Sequence, residues 1–219
     1  MSPPTATATR RAPARRSAAQ RRAILARRRR RSVYGLVGVI VLVILAVAVM
    51  PIARRAVNEF GLPLRYQDVI REQAAAKHLD PALIAAVIYA ETKFDPRTST
   101  AGAEGLMQLL PQTALFLAHK SGATNFHVSD LGTATVNIAY GSYYLRYLLD
   151  EYHGSKLEAV AAYNGGEANV NRWVARARAD GDRFTLADIR FPETQAYVQR
   201  VLQAQHDYRT TYPSELGYR

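Results

Sequence analysis

The chain of 219 residues contains no cysteine, which excludes disulfide scaffolds, cysteine-containing zinc sites and thiol nucleophiles. Acidic residues are also missing from positions 1–31, where eleven arginines stand. The whole chain has 29 basic and 18 acidic residues, so the part after Arg31 carries 18 of each and is formally neutral. The net charge of +11 therefore belongs to the N-terminal tail, which argues against a basic nucleic-acid-binding domain.

Residues 1–32 have little from which a folded core could be built. They lack aromatic side chains, and Ile24 and Leu25 are their only large aliphatic residues. Because so few apolar groups cannot offset the entropy of the chain, the sequence predicts a disordered basic tail. Its arginines would suit anionic lipid headgroups, and no nucleic-acid partner is expected.

A run of 21 uncharged residues, 33–53, follows the tail. A helix needs about 20 such residues to cross the hydrocarbon core, so the run predicts a single transmembrane helix in the lipid bilayer. The excess of arginine before it places the N-terminus in the cytoplasm and the rest of the chain outside, in the periplasm. Two alternatives stay open: a signal peptide cleaved after the small-x-small stretch 46–48, or a buried helix of a soluble protein.

Residues 54–65 are predicted to be a linker, and residues 66–219 are predicted to form one compact domain. The domain lacks the alternation of polar and apolar residues that is typical of strands, so its fold class is mainly α. Asp80 followed by Pro81 is a strong helix start, since Asp caps a helix and Pro suits its first position. Helices are predicted over about residues 66–78, 82–94, 111–120, 134–153, 157–163, 168–179 and 192–208.

Glu91 is the candidate catalytic residue. Ile84, Val87 and Ile88 share one helix face, and Glu91 continues that apolar stripe. A carboxyl on an apolar face is costly to ionise, so its pKa should rise, as a general acid near neutral pH requires. Its position alone also fits a helix-end glutamate that reaches solvent or pairs with a cation such as Arg97.

Three further motifs place polar groups beside glycines or at helix ends. The stretch 99–108 has two glycines three residues apart, and it ends in Gln108, whose amide suits a hydroxyl or an amide on a sugar. Tyr163 and Asn164 stand at a glycine-terminated helix end, and Glu193 suits the first turn of the last helix. Each motif alone also fits an ordinary glycine loop, helix cap or helix start.

Together and in this order, the motifs resemble those of the soluble-type (SLT domain) lytic murein transglycosylases of the goose-lysozyme-like superfamily. The matching stretches are Glu91-Thr92-x-Phe94-x-Pro96, Ser99-x-x-Gly102-Ala103-x-Gly105-Leu106-Met107-Gln108, Asn137-Ile138-x-x-Gly141-x-x-Tyr144-Leu145, Ala161-Ala162-Tyr163-Asn164-x-Gly166 and Glu193-Thr194-x-x-Tyr197-Val198. The resemblance implies a lysozyme-like helical fold. It also implies cleavage of peptidoglycan glycan strands between N-acetylmuramic acid and N-acetylglucosamine, with 1,6-anhydromuramyl ends as products.

The resemblance implies that Glu91 is the single general acid and base, which protonates the leaving oxygen and later takes the proton of the C6 hydroxyl. Tyr163 is expected to help hold Glu91. The expected substrate-binding residues are Thr92, Gly105, Met107, Gln108, Tyr163, Asn164, Glu193 and Tyr197. No cofactor is implied, and no metal is expected because the five histidines show no ligand spacing.

The sequence departs from the family pattern at two places. Thr92 stands where the family usually has serine, and it keeps the hydroxyl. Gly165 and Glu167-Ala168 replace the usual alanine and Pro-Gly, which would change the loop there and the subsite that it borders. Two other functions stay open: a hydrolytic lysozyme-like muramidase, which usually needs a second carboxylate, and a non-catalytic peptidoglycan-binding envelope protein.

Overall fold

The structure, a computed structural model, describes Leu45 and residues 61–218. The predicted tail 1–32 and, apart from Leu45, the predicted transmembrane segment 33–53 lie outside the described residues, as do residues 54–60. In the part of the chain that is described, no helix is both long enough and apolar enough to cross a membrane.

Residues 61–218 are mainly helical, as the sequence predicts. The α-helices are α1 (Gln67–Lys77), α2 (Pro81–Thr92), α3 (Pro111–Ser121), α4 (Ala134–Glu151), α5 (Lys156–Gly165), α6 (Glu167–Ala179) and α7 (Pro192–Thr211), and the 3-10 helices are Val128–Gly132 and Leu186–Asp188. Every predicted helix is present, and its ends differ by three residues at most. Residues 61–218 contain one isolated antiparallel bridge, between Glu104 and Leu109.

The start and the end of α2 decide where Glu91 lies. The Asp80 carboxylate caps the helix by accepting the N–H of Ala82 at 3.0 Å, as predicted. The helix ends at Thr92, because Lys93 and Phe94 have left-handed backbone angles (φ 52° and 64°). The prediction that the helix reaches Phe94 was therefore wrong, since this residue leaves the helix to bury its ring. Glu91 consequently stands in the last turn.

The core is built around α2. Every residue from Ala82 to Ile88 is buried, and the most extensive partner of α2 is α7. A helix that is apolar on all sides must be covered by neighbours. The other helices pack in a chain of contacts, with α4 against α1 and α5, and α5 against both α6 and α7. Glu91 therefore emerges at the end of the most deeply buried helix, beside α7.

Residues 61–64 pack against the helices. Three tyrosine hydroxyls donate to three consecutive carbonyl groups: Tyr89 to Gly61 (3.1 Å), Tyr212 to Leu62 (2.8 Å) and Tyr208 to Pro63 (2.5 Å). The side chains of Leu62 and Leu64 also rest on the core. The last residues of the predicted linker are therefore held on the helical domain.

Candidate active site

Glu91 is held by a tyrosine from the last helix. The hydroxyl of Tyr197 on α7 donates to Oε1 of Glu91 at 2.7 Å, and Tyr197 itself is only 2% exposed. Arg97 donates to the backbone carbonyl of Glu91 at 2.8 Å. The carboxyl thus has a fixed direction.

The surroundings of Glu91 have opposing effects on its pKa. Burial raises the pKa of the carboxyl from 4.5 to about 7, while the hydrogen bond from Tyr197 and the charges of Arg200 and Arg97 lower it. Burial dominates, as the apolar stripe predicts. A carboxyl with a pKa near 7 exists in both protonation states at neutral pH, so it can both donate and accept a proton.

A tight loop, residues 104–109, lies beside Glu91. Glu104 and Leu109 close it by exchanging N–H···O bonds of 2.9 and 3.0 Å. Gly105 has a φ of 75°, and a Cβ there would lie 2.7 Å from the carbonyl oxygen of Leu131 and collide with the amide of Asn137. Gly105 is buried, so its absent side chain serves the approach of this loop to α4.

Asn137 on α4 anchors the loop. Its Oδ1 accepts the N–H of Met107 at 2.8 Å, and its Nδ2 donates to the carbonyls of Glu104 (2.9 Å) and Leu131 (3.1 Å). Asn137 is fully buried, so these bonds satisfy an amide that would otherwise be costly to bury. The sequence motif that contains Asn137 predicted no role for it. The signal that could have identified it is a single amide side chain in the predicted helix, four residues before Gly141.

Met107 and Thr92, two of the expected substrate-binding residues, have buried side chains. The Met107 side chain is fully buried against Gly141, where an added Cβ would lie 2.8 Å from the Met107 Cβ. The hydroxyl of Thr92 is placed 2.8 Å from the carbonyl of Leu106 and 3.1 Å from that of Ile88, and Thr92 is 1% exposed. Both side chains hold loop 104–109 in place, and their contact with substrate stays a prediction.

The two tyrosines of the predicted site have different hydrogen-bond partners. Tyr163, which was expected to hold Glu91, donates its hydroxyl to the carbonyl of Met107 at 2.9 Å. Tyr197, which was expected to line a groove, is the residue that holds Glu91. Burial raises the pKa of the Tyr163 phenol, and the nearby Glu91 carboxylate raises it further.

Three predicted residues keep exposed surface. Gln108 is half-buried, and its amide donates to the carbonyls of Arg97 (2.7 Å) and Gly105 (2.9 Å). Asn164 is exposed, and its Oδ1 accepts the Thr194 hydroxyl at 2.7 Å, which ties α5 to α7. Glu193 is exposed in the first turn of α7. Substrate contact by these side chains stays a prediction.

Within residues 61–218, no three histidine, aspartate or glutamate side chains cluster in a way that could hold a metal ion.

Comparison with known proteins assigns the fold to a family. Residues 68–184 match the family model of the transglycosylase SLT domain. The chain belongs to the transglycosylase SLT domain family. The resemblance that was drawn from the ordered motifs is thereby confirmed.

The SLT domain of this chain is similar to parts of longer proteins. The soluble lytic murein transglycosylase of Escherichia coli K12 is 29% identical over 154 residues, which cover 69% of this chain and 24% of that protein. The membrane-bound lytic murein transglycosylase C of Yersinia pestis is 29% identical over 169 residues, which cover 66% of this chain and 47% of that protein.

The solved structure of an inactive mutant of the lytic transglycosylase Slt from Pseudomonas aeruginosa has a TM-score of 0.65 and 28% identity to this chain. The match covers 72% of this chain and 26% of that one. The chain thus spans about a quarter of the length of the Escherichia coli and Pseudomonas proteins, and the shared part is the SLT domain.

Proposed function

We propose that this SLT-family protein is a peptidoglycan lytic transglycosylase. It would cleave glycan strands between N-acetylmuramic acid and N-acetylglucosamine and leave 1,6-anhydromuramyl ends, with Glu91 as the single general acid and base. The observation that carries this proposal is one oriented carboxyl whose pKa is raised to about 7. The relatives are named lytic murein transglycosylases, which supports the substrate class.

The proposed reaction uses the Glu91 carboxyl twice, first as an acid and then as a base. Protonated Glu91 gives its proton to the glycosidic oxygen, and the bond from that oxygen to the muramyl C1 breaks while the N-acetyl oxygen of the same sugar attacks C1. The C6 oxygen then displaces the N-acetyl oxygen, and its proton returns to the Glu91 carboxylate. No water is consumed, and Glu91 ends as it began. A pKa near 7 suits both transfers, because neither protonation state is strongly favoured.

The charges around Glu91 favour this reaction over hydrolysis. Most glycoside hydrolases pair the acid with a second carboxylate about 5–9 Å away. Such a neighbour would raise the pKa of Glu91 by repulsion. Within residues 61–218, the charged side chains whose fields shift the pKa of Glu91 are Arg97 and Arg200, both cations. A single-carboxylate mechanism therefore fits this site better than a carboxylate pair.

The test is mass analysis of the products released from purified murein by the full chain. We expect muropeptides that are lighter by one water than those with reducing ends. Reducing ends would instead indicate a muramidase, and the absence of products would indicate a binding protein. Glu91→Gln is expected to lower the rate at least about a hundredfold. The control is Glu72→Gln, which changes an exposed glutamate on α1 and should leave the rate unaltered.

The cellular placement is also part of the proposal. Residues 33–53 would anchor the protein in the cytoplasmic membrane, with the tail inside, where it can contact anionic headgroups, and the domain in the periplasm. The uncharged run of 21 residues and the eleven preceding arginines support this placement. Membrane fractions should retain the protein after alkaline carbonate washing, and external protease should digest the domain in spheroplasts. Release by carbonate would contradict the anchor.

A further inference from the structure

Four aromatic rings form a continuous row from the candidate active site to the surface of α3. Tyr163 lies 5.1 Å from Tyr144, Tyr144 stacks on Tyr147 at 6.2 Å, and Tyr147 meets Phe116 edge to face at 5.4 Å between ring centroids. We call Tyr163, Tyr144, Tyr147 and Phe116 the aromatic row. It crosses three helices, α5, α4 and α3, so it is a tertiary feature.

The inner end of the aromatic row borders the same loop as Glu91. Tyr163 donates its hydroxyl to the carbonyl of Met107. The residue after Glu91, Thr92, hydrogen-bonds to the carbonyl of Leu106, the preceding residue of that loop. The row and the carboxyl are therefore fixed to adjacent peptide groups, and the row is continuous with the candidate site.

The outer end of the aromatic row is open to solvent and carries a cation. Phe116 is 45% exposed, although its ring touches Tyr147. The Lys120 ammonium lies 5.0 Å from the Tyr147 ring centroid and 6.0 Å from that of Phe116. The hydroxyl of Tyr147 is already engaged, because it donates to Glu167 at 3.1 Å. An exposed ring and a solvent-accessible ammonium thus stand together where no catalytic group reaches.

We propose that Phe116, Tyr147 and Lys120 form an outlying subsite for the glycan strand that is cleaved at Glu91. A sugar ring would pack its C–H face on the exposed part of Phe116, and Lys120 would meet a carboxylate of the strand. This inference rests on the proposed function and extends it. Packing of α3 on α4 explains the contact between Phe116 and Tyr147, and it leaves 45% of Phe116 exposed for the face of a sugar.

The chemistry of the strand suits both groups. Sugars present apolar C–H faces that pack on aromatic rings, and a cation already positioned over aromatic faces is partly held in place for a negative partner. Peptidoglycan offers carboxylates from two sources, the peptide stem and, where the stem has been removed, the lactyl group of muramic acid. The geometry specifies a carboxylate, and the choice between the two sources is left to experiment.

The test measures binding in the Glu91→Gln background of the full chain, purified in detergent, so that no strand is cleaved. The probes are peptide-bearing glycan strands, strands freed of stem peptides by an amidase, and uncharged chitooligosaccharides. Phe116→Ala and Phe116→Leu are expected to weaken binding of all three probes about three- to tenfold, because both remove the ring. Unaltered binding in either variant with normal thermal unfolding would overturn the subsite.

The matched apolar control is Leu115→Ala. Leu115 is 50% exposed on the next face of the same helix and should leave binding unaltered. An equal loss in Leu115→Ala and Phe116→Ala would show that ring stacking is not involved, and the proposal would fail.

Lys120→Gln tests the carboxylate. We expect binding of peptide-bearing strands to weaken about two- to fivefold, the range for an exposed charge pair, and binding of chitooligosaccharides to stay the same. Loss only with strands freed of their stems assigns the lactyl carboxylate, which is an amide while a stem is attached. Loss only with peptide-bearing strands assigns the stem, and loss with both shows that either carboxylate is bound. Equal behaviour on all three probes would refute the role of Lys120. The control Lys156→Gln removes an exposed cation at the start of α5.

Failure of this inference is separable from failure of the proposed function. If wild-type protein releases anhydro products while the Phe116 variants bind normally, the subsite is wrong and the enzyme assignment stands. If no anhydro products form while the Phe116 variants lose binding, the strand contact stands and the transglycosylase assignment is wrong.

Discussion

The hydroxyl of Tyr197 donates a 2.7 Å hydrogen bond to Oε1 of Glu91, across 106 residues of sequence. Burial and the neighbouring carboxylate raise the pKa of Tyr197 well above its ordinary value, so the phenol stays a donor at any physiological pH. Tyr197 therefore donates its proton to the hydrogen bond with Glu91 throughout the physiological pH range. This bond opposes the effect of burial, since a hydrogen bond given to a carboxylate favours the ionised form.

Tyr197→Phe should raise the pKa of Glu91 further above 7, because the bond that favours the ionised form is lost. The alkaline limb of the pH–rate profile on purified murein should move to higher pH. The rate at pH 7 should fall roughly tenfold or more, since a hydrogen bond to a charged group contributes about 1.5–3 kcal/mol. An alkaline limb at the same pH as in the wild type would contradict the role of Tyr197. The control is Tyr66→Phe, which changes an exposed tyrosine.

Glu91→Gln should stabilise the protein at pH 8 and much less at pH 5. The folded pKa of about 7 lies above the ordinary 4.5, so the native state binds more protons between these values and its stability falls as pH rises through them. Above pH 7 the ionised carboxyl costs up to about 3 kcal/mol, which glutamine avoids. Chemical denaturation at both pH values measures the difference. An equal gain at pH 5 and pH 8 would be inconsistent with a raised pKa.

Asn137→Asp should destabilise the fold by about 3 kcal/mol. A carboxylate cannot donate to the carbonyls of Glu104 and Leu131, and it would be buried without a cation. Lytic activity should fall with it because loop 104–109 loses its anchor. Urea denaturation gives the stability, and Asn171→Asp on α6 is the matched control, since its exposed oxygen can still accept from Tyr152. A cost below about 0.5 kcal/mol would show that Asn137 is dispensable.

Gly141→Ala should destabilise the protein by about 1–3 kcal/mol, because its methyl group would overlap the side chain of Met107 in a packed core. The substitution should cost less in a Met107→Ala background, where most of the obstructing side chain is gone. Thermal unfolding of the four proteins in this cycle measures the coupling. Gly132→Ala meets no atom within 4 Å and is the control. Additive changes in stability would mean that the added methyl group does not overlap the Met107 side chain.

Local signals in the sequence predicted the helices and the acid. Asp80 before Pro81 marked the start of α2, and the spacing of Ile84, Val87 and Ile88 put Glu91 on an apolar face. The helix start and the apolar face each involve residues of one helix, so both can be recognised in a short stretch of sequence. The position of Phe94 was not predicted correctly. Its ring is buried in the core and the helix ends two residues earlier than predicted, because tertiary contacts override local preference.

The site could be predicted as a set of motifs but not as a set of roles. The motifs included Tyr163, Tyr197, Thr92 and Met107, and nothing in their spacing shows which side chains face inward. In the structure, Tyr197 donates the hydrogen bond to Glu91, while Tyr163, Thr92 and Met107 position loop 104–109. These roles depend on how α2, α4, α5 and α7 pack together, which local periodicity does not encode.

The sequence by itself determined the helical class, the neutral domain behind a basic tail, and the single carboxyl at the end of an apolar helix. These follow from composition and from interactions between residues a few positions apart. Only the tertiary structure decided which phenol orients Glu91, that Asn137 holds the loop beside it, and that four aromatic rings from three helices lead outward to Lys120. The reason is that these contacts join residues that are distant along the chain, and packing alone brings them together.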